Sequence, residues 1–102
     1  MNWRLEVHQV AESDIASAAS WYAQQQPGLE TRFIEEVKAC CAFILTNPNG
    51  PAKAGGHYRQ FRLETFPFHV VYFIIDDLVL VMRVYHMSRD HRRKLPRGKR
   101  SR

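Results

Sequence analysis

The apolar residues of this chain change their spacing once, and that change limits the folds open to it. Between Ile15 and Leu45 they recur every three or four positions, as in helices with one buried stripe. Between Tyr58 and Tyr85 they alternate or run together, as in strands. Ile15, Ala18, Ala19 and Tyr22 form the first stripe, in a helix expected to start near Glu12 or Ser13, where acidic side chains suit the helix dipole. Trp21 sits beside Tyr22 and is expected to pack in the core. Gln24-Gln25-Gln26 ends this helix and Pro27-Gly28 marks a turn. Leu29, Phe33, Val37, Cys40 and Ile44 form a second stripe, widened by Ile34, Cys41 and Leu45 and stopped by Thr46-Asn47-Pro48-Asn49-Gly50-Pro51. Helices joined by so short a turn form an antiparallel hairpin.

Trp3 to His8 alternates apolar and polar residues and reads as a strand ahead of the helices. Pro51 to Gly56 reads as loop, followed by strands over Tyr58–Leu63, Phe68–Ile75 and Leu78–Tyr85. Glu64-Thr65-Phe66-Pro67 joins the first two, and Asp76-Asp77 makes a tight hairpin with solvated turn carboxylates. Val70 to Ile75 is almost wholly apolar, which predicts a central strand covered on both faces. The expected fold is α+β in the order β-α-α-β-β-β, with the helical hairpin on one face of a small antiparallel sheet. The other face, or its rim, is then open.

The 102 residues suit one domain. No apolar stretch reaches the roughly 18–20 residues of a membrane span, and Met1-Asn2-Trp3-Arg4-Leu5-Glu6 lacks the apolar region of a signal peptide. The expectation is a cytoplasmic protein with no membrane partner. Cys40 and Cys41 are adjacent on a helix, a poor geometry for a disulfide, and read as small buried hydrophobes. His8, His57, His69, His86 and His91 have no metal-like spacing, and no cofactor is implied. Residues 1–52 carry three basic side chains against six acidic ones, whereas residues 53–102 carry twelve against four. That asymmetry predicts a basic C-terminal sheet facing something acidic: nucleic acid, an acidic protein or a phosphate-rich partner.

Several of these residues, in this order, resemble the RelE/ParE toxin superfamily. The first half supplies Ala11, Asp14-Ile15, Ala18, Trp21-Tyr22, then Gln26-Pro27-Gly28-Leu29, Arg32-Phe33 and Glu36-Val37, then Ile44 and Asn47-Pro48. The second supplies Tyr58-Arg59-Gln60-Phe61, Phe66-Pro67-Phe68, Val71-Tyr72, Val84-Tyr85-His86 and Arg89-Asp90. The similarity spans about residues 3–92 and is nearest the ParE-like, plasmid-stabilisation branch. It implies a toxin domain over 1–92; the basic tail beyond it, 93–102, is too basic and too poor in apolar residues to pack and is expected to be flexible. It also implies the toxin of a type II toxin–antitoxin pair, neutralised by a small antitoxin encoded beside it. ParE-like toxins are associated with inhibition of DNA gyrase, and RelE-like relatives cleave mRNA on the ribosome. A third possibility is an inactive member that works only within an antitoxin complex.

Metal-independent RNA cleavage requires a base, an acid and cations around one phosphate. Arg59, Arg83, His86 and Arg89 are the residues able to fill those roles. Strand alternation sets Arg59 with Phe61 and Leu63, Arg62 with Tyr58 and Gln60, Arg83 with Val79 and Val81, and His86 with Met82 and Val84. These groups therefore do not all converge on one face unless the strand ends bend. The ribonuclease relatives carry an aromatic residue or tyrosine soon after the position of Arg89, where this chain has Asp90-His91-Arg92-Arg93-Lys94-Leu95, and His91 replaces a family proline. These departures favour a binding inhibitor without chemistry of its own. Arg59, Arg62, Arg83, His86, Arg89, Arg92 and Arg93 are the expected contacts to antitoxin or target. Arg89 and Asp90 also fit a structural reading, in which Asp90 caps a short turn and Arg89 pairs with it, and His86 fits a hydrogen-bonded strand end. The tail either touches DNA or gyrase or simply solubilises the chain. An antitoxin segment fits an open sheet edge or groove rimmed by arginines.

Overall fold

The computed structural model describes residues 2–88. Its elements are β1 (Arg4–Val7), α1 (Gln9–Gln25), α2 (Leu29–Thr46), β2 (Lys53–Gly55), β3 (Tyr58–Arg62), β4 (Phe68–Ile75) and β5 (Leu78–His86). The strands form one sheet in the order β1-β5-β4-β3-β2. Strands β2 to β5 run antiparallel, and β1 joins the outer edge of β5 in parallel, so the sheet is mixed. Strand β4 is central, as its apolar run predicts. The three residues of β2 lie within the stretch expected to be loop.

Helix α1 begins three to four residues before the expected start. His8 is extended at φ −64° and ψ 149°, and its carbonyl accepts the Glu12 N–H at 3.0 Å. Its ring Nδ1 accepts the Val10 N–H at 3.0 Å, so an imidazole performs the capping usually done by a short hydroxyl or carboxylate. Ser13 then falls inside the helix and is exposed. Between the helices Gly28 sits at φ +92°, a left-handed conformation that turns the chain at little steric cost, and its N–H is held by Glu30 Oε1 at 3.0 Å.

Both predicted stripes face the sheet. Ala11, Ala18, Ala19 and Tyr22 from α1 meet Phe33, Val37, Cys40 and Ile44 from α2 over Leu63, Phe66, Phe68, Val70, Tyr72, Val79, Val81 and Val84. At the centre, Tyr22 and Phe33 pack edge-on against Phe66 at 4.9 and 5.3 Å, and Phe33 against Phe68 at 5.0 Å. Such contacts each contribute about 0.5–1.5 kcal/mol beyond simple burial. Trp21 departs from expectation. It is 45% exposed and lies edge-on to Tyr22 at 5.2 Å, outside the core. Burial pushes the Cys40 thiol up to about 12, with Cys41 and Glu36 adding to the rise, and both cysteines are free thiols.

One irregularity in the sheet sets the face on which Arg83 lies. Val71 pairs with Arg83 but Tyr72 pairs with Val81, so Met82 is an extra residue in β5, a β-bulge. Strict alternation would put Val79, Val81 and Arg83 in one row. With the bulge, Val79, Val81 and Val84 all belong to the buried core, and Arg83 leaves that row. Asp76, at φ 55°, adopts the left-handed turn conformation that aspartate tolerates between Ile75 and Leu78.

Candidate docking groove and the predicted arginines

Each cation expected to act outward from β3 or β5 has a partner within the fold. On the helix side, Arg59 donates from Nη1 to the Pro51 carbonyl at 2.8 Å. One strand away, the Tyr72 hydroxyl donates to the Pro48 carbonyl at 2.6 Å, a buried bond. Together they fasten the segment after α2 to the sheet. Burial pushes the Tyr72 phenol up to about 12, partly offset by Arg59.

Arg83 reaches helix α1. Its Nε lies 2.8 Å from Asp14 Oδ2 and its Nη2 lies 3.1 Å from Asp14 Oδ1, a two-pronged ion pair. The same carboxylate accepts the Val84 N–H at 2.9 Å. The bond to Val84 falls beyond β1, whose last contact with β5 is His8 N–H to the Val81 carbonyl at 2.8 Å. Asp14 thus closes a strand edge that β1 leaves uncovered.

His86 pairs across the sheet with Phe68 and meets its ring edge-on at 5.2 Å. Its Nδ1 accepts the Ser88 N–H at 3.1 Å. Together with Asp14, Ser17 and Trp21, His86 lines a cleft between α1 and the end of β5. Arg59 and His86 are separated by two strand spacings and four residues of β4, roughly 10 Å across and 13 Å along the sheet. Arg62 is exposed, on the face away from the helices in register with His69, and its Nε lies 3.0 Å from Met87 Sδ. Arg89, Arg92, Arg93 and the tail over 93–102 lie outside the described residues.

The face away from the helices carries more ring surface than charge. Tyr58 stacks on Phe73 at 4.4 Å, the Tyr85 hydroxyl donates to Gln60 Oε1 at 3.1 Å, and His69 lies 5.6 Å from Tyr85. Burial also pushes the Tyr85 phenol up, against the opposing charge of Arg83. The expectation of a basic sheet is corrected by the positions of the charges. Residues 2–88 hold seven basic and nine acidic side chains, and residues 89–102 hold eight basic and one acidic. The positive charge of the second half therefore resides almost wholly beyond β5.

A groove of about 480 Å³ lies between α2 and β3, lined by Glu36, Ala39, Cys40, Phe43, Phe61, Arg62, Leu63 and Glu64. Phe43 is 57% exposed and packs on Phe61 at 5.2 Å, an apolar floor open to water. Strand β2 pairs only with the start of β3, Lys53 with Arg59 and Gly55 with Tyr58. The Gln60 N–H points outward, to the Ala52 carbonyl at 3.1 Å. By the same alternation the Arg62 backbone points outward past the end of β2. The rim is mixed, with Glu36 and Glu64 beside Arg62, rather than formed by arginines alone. Its principal side chains were not among the expected site residues. A sequence signal existed: Phe43 lies off the apolar stripe of α2, where a large exposed hydrophobe has no role in the core.

This two-layer arrangement is shared with solved toxin–antitoxin proteins. A chain of the chromosomal ParDE system from P. aeruginosa superposes with a TM-score of 0.75 at 15% identity, covering 82% of this chain and 95% of that one. A chain of the intact E. coli RelBE complex gives 0.59 at 18% identity, covering 83% and 96%. In sequence, Toxin ParE2 of Mycobacterium tuberculosis is 33% identical over 87 residues, 84% of this chain and 83% of the relative. The model of the family described as ParE toxin of type II toxin–antitoxin system, parDE, matches residues 5–91. The chain belongs to that family of ParE toxins.

Proposed function

We propose that this toxin acts by binding, with DNA gyrase as its target, and that a cognate antitoxin silences it by docking in the groove between α2 and β3. The observation that carries a binding mechanism is the dispersal of the candidate RNA-cleaving groups. Arg59 serves the Pro51 carbonyl, Arg83 serves Asp14 on another element, and His86 stands about 16 Å from Arg59 by strand spacing. Cleavage of a phosphodiester needs its acid, base and cations within hydrogen-bond reach of the same few atoms. The groove supports the antitoxin half of the reading. An outward-pointing strand edge beside exposed Phe43 and half-buried Phe61 suits an added strand that lays alternate apolar side chains on the floor.

The test adds purified protein separately to a gyrase supercoiling reaction and to a cell-free translation reaction. Loss of supercoiling with translation intact is the expected result. Lost translation with normal supercoiling would replace this reading with a ribosome-dependent mRNA endonuclease. No effect in either would indicate a member that acts only inside an antitoxin complex.

A further inference from the structure

The two edges of the sheet are not equivalent. At one, β2 supplies three residues with a shift in register between Lys53 and Gly55, an irregular border that offers little to a further strand. At the other, β1 is regular. The Arg4 N–H donates to the Asp77 carbonyl at 2.9 Å and the His8 N–H to the Val81 carbonyl at 2.8 Å, so the even-numbered residues turn their backbone toward β5. Leu5 and Val7, and Trp3 ahead of them, turn theirs outward, where no described residue pairs with them. The side chains alternate as well. Leu5 and Val7 pack against the core, while Arg4 and Glu6, in register with Leu78 and Leu80, lie on the face away from the helices with 59% of each side chain exposed.

We infer that this edge is a self-association surface, to which β1 of a second copy adds antiparallel about a two-fold axis through Leu5. In that register Leu5 meets its own counterpart, Trp3 meets Val7, and Arg4 of each copy stands directly opposite Glu6 of the other. Arg4 and Glu6 then occupy non-hydrogen-bonded positions, where opposed side chains approach most closely, so the contact gains two ion pairs. Moving the axis to Glu6 or to Arg4 would set like charges against each other, which selects the register on Leu5. Charge protects an edge strand when an identical strand brings the same sign to it; here the alternation of Arg4 and Glu6 is self-complementary, and that favours a second copy over a foreign strand. Opposed residues of an antiparallel pair share a face, so the helices of both copies lie on one side of a continuous sheet. The groove between α2 and β3 lies three strands from β1 and stays open in this dimer.

Sedimentation equilibrium of the full-length chain at low ionic strength, where exposed pairs are least screened, tests this with Arg4→Glu, Glu6→Arg, the double variant and a mixture of the two single variants. The parent shows a concentration-dependent equilibrium between monomer and dimer. Each single variant opposes like charges at both pairs and weakens the dimer about tenfold. The double variant restores opposite charges in the same register and recovers most of the parent's association. Mixing the single variants gives a heterodimer tighter than either forms with itself. Both positions are exposed, so all variants keep the parent's fold, as checked by circular dichroism. A parent that stays monomeric at every concentration would overturn the inference, as would single variants that dimerise like the parent. A double variant no stronger than the single ones, or single variants that remain apart when mixed, would overturn it too.

Discussion

Removing the Asp14 carboxylate tests whether Arg83 is a structural cation. Asp14 accepts three hydrogen bonds, from Arg83 Nε at 2.8 Å, Arg83 Nη2 at 3.1 Å and Val84 N–H at 2.9 Å. Hydrogen bonds to charged groups contribute about 1.5–3 kcal/mol each when fully shielded. The Arg83 and Asp14 side chains retain 26% and 16% of their exposure, so solvent screens the pair and the contributions do not add in full. Asp14→Ala should therefore destabilise by about 2–3 kcal/mol, and Asp14→Asn, which keeps one acceptor oxygen, by about 1 kcal/mol. In a domain of this size about 2–3 kcal/mol lowers Tm by roughly 10–15 °C. The assay is urea unfolding followed by circular dichroism, where the midpoint moves at constant slope. A cycle with Arg83→Met isolates the pair, with an expected coupling of about 1–2 kcal/mol. A change of under about 0.5 kcal/mol in Asp14→Ala, together with no coupling, would refute the structural role. Arg83→Met with unchanged stability but lost toxicity would make the guanidinium a contact to the target.

Three further perturbations probe other parts of the fold. Tyr72→Phe leaves the Pro48 carbonyl without its buried donor and should cost about 1–3 kcal/mol, measured by the same unfolding. Burial favours the protonated Tyr72 phenol in the folded state, so its contribution is complete below the ordinary phenol value of 10.0 and is lost as pH rises through about 12. The decline of Tm above pH 10 should accordingly be shallower in Tyr72→Phe than in the parent, and equal slopes would contradict this. His8→Ala removes the cap on Val10 N–H and should cost about 1 kcal/mol, whereas His8→Asn should restore it, as read by thermal denaturation. Phe43→Asp, at a position 57% exposed, should leave Tm nearly unchanged and weaken the cognate antitoxin at least tenfold in titration calorimetry; an unchanged Kd would remove the groove from the docking surface.

The helical stripes were legible because each keeps to one face, for about two turns in α1 and more than four in α2, and Tyr22, Phe33 and Ile44 lie where the spacing put them. Central β4 was legible from its apolar run. What the sequence hid depends on contacts between distant segments. The partner of β1 is β5, more than seventy residues away, and local pattern carries no record of that pairing. His8 caps α1 through a ring nitrogen, a role composition assigns to Ser or Asp. Half-charge sums put the basicity on the sheet because the count ended at Arg102 and not at Ser88. Of the expected site residues, Arg59 and Arg83 find partners in segments 8 and 69 residues away, which no strand pattern could reveal.

The extra residue at Met82 has a consequence for how this scaffold changes over time. A strand that gains one residue in regular pairing exchanges the side chains on its two faces from that point onward, whereas a bulge absorbs the extra residue and leaves the faces as they were. In β5 the segment beyond the bulge, Arg83 to His86, ends at the cleft beside Trp21, while the segment before it, Leu78 to Val81, is fixed to β1. Deleting the codon for Met82 would restore regular alternation, with Arg83 still opposite Val71 and Val84 still opposite Val70. Chains of this fold can thus differ by one residue in this strand and still present the same arginine on the same face. Matching them by position along the strand, without allowing for the bulge, would set a core side chain of one against a surface side chain of the other.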